Sequence, residues 1–178
     1  MHLDSANQVD AKPAFGCRDD ASMVETISDH VRTTDDLGAA FSLIGQDISM
    51  GPQVRFRIVL EGQSQPLYPV VYEHAYQIGR EALLNAFRHS QASWIELHLE
   101  YTATGLSMAV RDNGKGISAE LLRKGCEGLS WMKGMSDRIG AKLKLLSRIK
   151  AGTEVLLSIP GHIAFAAETR ARRELAVA

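Results

Sequence analysis

Glu81 and Asn85 stand four residues apart in the run Arg80-Glu81-Ala82-Leu83-Leu84-Asn85-Ala86-Phe87-Arg88-His89. If that run is helical, a carboxylate and a carboxamide reach the same point above one helix face. The amide oxygen of Asn85 is a hard ligand suited to Mg²⁺. Glu81 can accept a proton or position a nucleophile. Arg88 adds a planar fork that matches phosphate oxygens. Further along, Asp112-Asn113-Gly114-Lys115-Gly116-Ile117 carries another carboxylate into a glycine turn. Together these residues could form a nucleotide site, and the chain has no Walker loop. Each stretch also has a plainer reading. The first could be an amphipathic helix with a wet polar face, and the second an ordinary turn.

Period and punctuation supply the elements that must position these side chains. Pro69 suits the first turn of a helix running to about Ser90. On it His74, Gln77, Glu81, Asn85, Arg88 and His89 fall within roughly a third of the circumference. Tyr72, Tyr76, Leu83, Ala86 and Phe87 lie opposite. Upstream, Ala21 to Val31 reads as a short helix, and Asp35-Asp36 starts another from Leu37 to Ile48, with Leu37, Ala40, Phe41 and Ile44 on one face. Val54 to Leu60 alternates as a half-buried strand with Val54, Phe56, Ile58 and Leu60 inward. After the long helix come strands over Trp94–Tyr101 and Leu106–Arg111, joined at Thr104-Gly105. Short helices follow over Ser118–Lys124 and Gly128–Ile139, the latter ended by Gly140. Strands over Lys142–Ser147 and Glu154–Ile159 complete the pattern, with Gly152-Thr153 in the loop between them. This order predicts an α+β fold, a two-layer α/β sandwich in which a mixed sheet has helices on one face.

The two stretches resemble the N box and first glycine box of the GHKL ATPases, most closely those of nitrate-sensor-type histidine kinases. The likeness spans roughly Val54 to Gly161 and is strongest from Tyr76 to Ile117. It implies a Bergerat-type fold that binds ATP with Mg²⁺. It implies that Asn85 coordinates the metal, that Glu81 is the catalytic carboxylate, and that Arg88 or His89 touches phosphate. Asp112 would accept a hydrogen bond from the adenine amino group. Gly114 and Gly116 would let the backbone approach the base, since a Cβ there would obstruct it. Gly152-Thr153 resembles the family's last glycine-threonine element, with Thr153 near Asp112 and the adenine. Gly128-Leu129 resembles the start of the second glycine box. There Trp131 stands where a glycine is expected and Met135 where an arginine is usual; an alternative register uses Gly134-Met135.

The chain has 178 residues, 45% hydrophobic, with a formal net charge of −1. That suffices for one domain with a core, and gives no general reason to expect nucleic-acid binding. No apolar run is long enough to span a bilayer. Cys17 and Cys126 lack metal or redox spacing and read as free thiols in a reducing cytoplasm. The organisation expected is a flexible leader over residues 1–20, a helical segment over 21–52 that could be a remnant of a dimerisation and phosphoacceptor hairpin, an ATP-binding domain over 53–161, and a tail over 162–178. No His-Asp pair occurs. The leading expectation is therefore the ATP-binding catalytic domain of a two-component sensor kinase. It would transfer the γ-phosphate to a histidine on a separate segment or chain, with a response regulator as the further partner. The alternatives are a degenerate nucleotide-binding or protein-interaction module without phosphotransfer, and an anti-sigma-factor-type serine kinase.

Overall fold

Alternation in the sequence becomes a sheet with one dry face and one wet face. The computed structural model describes residues 36–48, 54–124 and 126–166. The expected leader, the helix over 21–31 and the tail beyond residue 166 lie outside the described residues. In order the elements are α1 (Leu37–Ile48), β1 (Arg55–Glu61), α2 (Pro69–His89), β2 (Trp94–Tyr101), β3 (Gly105–Asp112), α3 (Ala119–Lys124), α4 (Glu127–Arg138), β4 (Lys142–Arg148), β5 (Gly152–Pro160) and α5 (Gly161–Ala164). The sheet order is β1-β2-β3-β5-β4. β1 and β2 are parallel and the other pairs antiparallel. Parallel pairing needs a long crossover, and α2 lies within the one between β1 and β2.

Ile95, Leu97, Leu99 and Tyr101 of β2 alternate into the core, as do Leu106, Met108 and Val110 of β3 and Val155, Leu157 and Ile159 of β5. The register places Leu97 beside Val110 and Val110 beside Val155. The same rows continue to Ile95, Asp112 and Thr153. Period-two alternation therefore puts Asp112 on the helix-covered side, at the end of the sheet. On the reverse face Arg57, Glu96, Arg111 and Glu154 stand side by side across four strands. They form a ladder of ion pairs in which Glu96 accepts from both arginines.

The expected two-layer sandwich thus forms, and α2 is its central helix. Its buried face carries Val71, Ala75, Tyr76, Ile78, Gly79, Ala82, Leu83 and Ala86. Glycine in mid-helix weakens a helix by about 0.5–1 kcal/mol relative to alanine. Gly79 has a steric reason to be there: a Cβ would fall 2.4 Å from Phe41 Cζ and 2.9 Å from Met108 Sδ. The notch lets α1 seat the fully buried Phe41 against Tyr76, with ring centroids 5.6 Å apart.

Three details differ from the sequence-based expectations. Leu60, expected inward, is 55% exposed, near the end of the edge strand β1, although the start of α1 at Gly38 approaches that side chain. β5 begins at Gly152 rather than Glu154, because Thr153 pairs with Asp112 and the turn is made earlier, where Lys150 has φ 61°. Past Gly161 the chain folds back: Phe165 bridges Leu67, Tyr68 N–H donates to Ala164 O, and Ala166 N–H donates to Pro66 O.

Candidate functional site

The last three turns of α2 display the polar residues singled out by spacing. Asn85 Nδ2 donates to Glu81 Oε1 at 3.1 Å, and both side chains are half-buried. Gly128, in the first turn of α4, lies over them: a Cβ there would be 2.7 Å from Glu81 Oε1 and 3.7 Å from Asn85 Nδ2. Three sequence positions spread over more than forty residues therefore meet. The fold produces this by burying Met132 and Ser136, which anchor α4 in the helix layer. Leu129 is half-buried beside Gly128, while Arg88 and His89 are exposed in the last turn of α2.

Asp112 ends β3 and is only 8% exposed. Its Oδ1 accepts from Gly114 N–H at 2.8 Å. Burial pushes its carboxyl above the usual range, and hydrogen bonds from the Gly114 and Thr153 backbones pull the other way. Desolvation wins, so this group holds its proton more firmly than an exposed aspartate. A carboxylate kept on the dry side of a sheet end is an acceptor aimed at whatever covers it.

The glycines of the turn have a reason to be bare inside the protein itself. A Cβ at Gly114 would fall 2.2 Å from Ser90 O, and one at Gly116, where φ is +69°, 2.2 Å from Arg148 O. The loop is pinned by Lys115 N–H to Ser90 O and by Lys150 N–H to Lys115 O, each 2.8 Å. So the C-terminal end of α2 adjoins the loop that follows Asp112. The sequence reading had assigned both glycines to ligand approach; the backbone contacts alone already require them.

Thr153 opposes Asp112, and its Oγ1 lies 2.9 Å from Ser147 Oγ. Ser147 Oγ also accepts from Ile117 N–H at 2.8 Å and donates to Gly152 O at 3.1 Å. Ser147 thus ties the glycine turn, β4 and β5 together. Sequence reasoning passed over it. The signal was its place in register with Leu143 and Leu145, where a third apolar residue would be the rule.

Of the two registers open for the second glycine box, Gly128 lies against Glu81, whereas a Cβ at Gly134 would meet nothing within 4 Å among the described residues. Trp131 is 44% exposed and Met135 half-buried on α4. Among the described residues no group of three His, Cys, Asp or Glu side chains could by itself hold a metal ion.

Comparison with known proteins identifies the family. Residues 71–163 match the family described as histidine kinase-, DNA gyrase B- and HSP90-like ATPase. The chain is 34% identical over 90 residues to the sensor histidine kinase LiaS of Bacillus subtilis, covering 51% of this chain and 25% of LiaS. It is 25% identical over 142 residues to the histidine-protein kinase/phosphatase DegS of Brevibacillus brevis, covering 80% of this chain and 33% of DegS. The chain therefore spans a quarter to a third of these curated relatives. Among solved structures, the histidine kinase domain of the Erythrobacter litoralis EL346 blue-light activated kinase superposes with a TM-score of 0.60 at 21% identity, covering 70% of this chain and 60% of that one.

Proposed function

The chain belongs to the histidine kinase-, DNA gyrase B- and HSP90-like ATPases, and on that premise we propose that it binds Mg²⁺-ATP and serves as the catalytic domain of a two-component sensor kinase. The γ-phosphate goes to a histidine on a separate segment or chain. The observation that carries the reading is the meeting of Glu81 and Asn85 of α2 with Gly128 of α4. The donor set fits Mg²⁺, which keeps several waters and takes one or two protein ligands beside substrate phosphates rather than a full protein cage. Asn85 would hold it, and the ion would neutralise developing phosphate charge. Glu81 accepts the imidazole proton, Arg88 or His89 meets phosphate oxygens, and Asp112, backed by Thr153, accepts from the adenine amine. Gly128 and Leu129 border the phosphates, and the turn at Gly114 and Gly116 borders the base. No described helix is long and apolar enough to cross a membrane; on this reading the site works in the cytoplasm, where ATP is abundant.

Calorimetry on the whole chain tests the binding step: ATP binds with Mg²⁺ and markedly less well with a chelator. No heat with Mg²⁺-ATP at millimolar nucleotide overturns the reading. Labelled ATP and a separately supplied histidine phosphoacceptor domain of a two-component kinase test the transfer. Acid-labile label on a histidine of that domain is expected; binding without any transfer leaves a nucleotide-binding module.

Trp131 offers an optical readout. It lies one turn beyond Gly128 and is 44% exposed, so its emission responds to what arrives at the start of α4. Saturating ATP is expected to change tryptophan emission, and Trp131→Phe to remove most of that change. A signal that survives in Trp131→Phe would place the nucleotide nearer Trp94.

A further inference from the structure

Gly128 is where α4 touches the polar side of α2. Within the same helix a Cβ at Gly134 would meet no described atom within 4 Å, so of the two glycines Gly128 is the one with a steric reason to lack a side chain. The atom in the way is Glu81 Oε1, at 2.7 Å, the far end of a flexible side chain rather than backbone. An added methyl would be accommodated by moving the carboxylate and would leave α4 in place. That oxygen is the acceptor for Asn85 Nδ2. An ionised carboxylate only accepts, so while the pair is made the Asn85 amide must turn its NH₂ toward Glu81 and its oxygen away.

We infer that Gly128 is a positioning residue that acts through Glu81: its missing Cβ leaves room for Oε1, Oε1 fixes the orientation of the Asn85 amide, and the amide oxygen is thereby the end presented to a metal. Glu81 has a second duty beside handling protons, as the clamp that sets which face of the amide is offered. The last link rests on the Mg²⁺-ATP reading; the first two are contacts within the protein.

A double-mutant cycle on the full chain, read two ways, tests this. The first readout is the ¹⁵N–¹H signal pair of the Asn85 side-chain amide, identified by its disappearance in Asn85→Ala and followed without nucleotide. The second is the factor by which Mg²⁺ improves ATP affinity. Gly128→Ala is expected to fold with a near-parental urea midpoint, to shift the Asn85 amide pair, and to cut the Mg²⁺ factor about fivefold. In a Glu81→Ala background the carboxylate is gone. There Gly128→Ala should produce no further amide shift and change the Mg²⁺ factor by less than about twofold. Glu81→Gln, which keeps the shape and leaves residue 128 untouched, should also shift the amide pair, because a carboxamide can donate as well as accept. Equal effects of Gly128→Ala in both backgrounds would overturn the inference. So would an Asn85 amide signal unmoved by Gly128→Ala and Glu81→Gln. If the parent protein binds no Mg²⁺-ATP, the proposed function falls, and the amide shifts alone decide the positioning link.

Discussion

Asn85→Ala is expected to weaken Mg²⁺-ATP binding at least about tenfold, roughly 1.4 kcal/mol, and to leave nearly the same affinity with and without Mg²⁺. The reasoning starts from the count of donors. Among the described residues no cluster of carboxylates, imidazoles or thiols could capture a metal unaided. On the proposed reading the metal is shared between the nucleotide and the amide oxygen of Asn85, the side chain on this face of α2 that the Glu81 hydrogen bond orients. Removing it takes away the protein's hold on the ion and none of the fold's apolar packing, because the side chain is only half-buried. Loss of the Mg²⁺ effect with a parental urea midpoint is therefore the expected pair of results. An unchanged Mg²⁺ effect in Asn85→Ala would remove the metal assignment.

The skeleton of the site was legible in the sequence because period and spacing are local properties. Glu81 and Asn85 were four apart on a helix whose apolar side was plain, and Asp112 followed a strand with clear alternation. A mixed sheet was expected from the element order, but the strand order, and which pair runs parallel, were not readable from period alone, since they depend on which edges meet. Leu60 shows the limit: its alternation pointed inward, but on an edge strand inward is not covered. Thr153 shows another. Its turn chemistry suggested a loop, whereas pairing with Asp112 drew it into the ladder. Ser147 was hidden because its value lies in three partners from three separate segments. The choice between Gly128 and Gly134 likewise needed a neighbour from another helix, Glu81, that no spacing rule names.

Asp112→Asn is expected to lose adenine recognition while keeping the fold, and the two effects carry opposite signs. The carboxyl accepts from Gly114 N–H at 2.8 Å. An asparagine in the same place would give its oxygen to that N–H and turn its NH₂ toward the ligand, where the adenine amine also donates. Two facing donors in a buried place cost about 1–3 kcal/mol, or about fivefold to 150-fold in ATP affinity. Guanine carries an acceptor oxygen where adenine carries its amine, so competition should shift toward GTP. Stability should move the other way. Burial holds the Asp112 carboxyl above the usual range, so the folded protein binds this proton more tightly than the unfolded chain does. The stability from that group is complete below the ordinary carboxylate range, about pH 4, and is lost as pH rises through the raised value. Asp112→Asn cannot ionise and escapes that loss. Its urea midpoint, measured against the parent, should rise across the same window and then level off above the raised value; comparing the two proteins cancels the other titrating groups. A midpoint difference that stays flat with pH would mean that burial does not raise the Asp112 carboxyl. An unaltered ratio of ATP to GTP affinity would mean that Asp112 serves the turn and not the base.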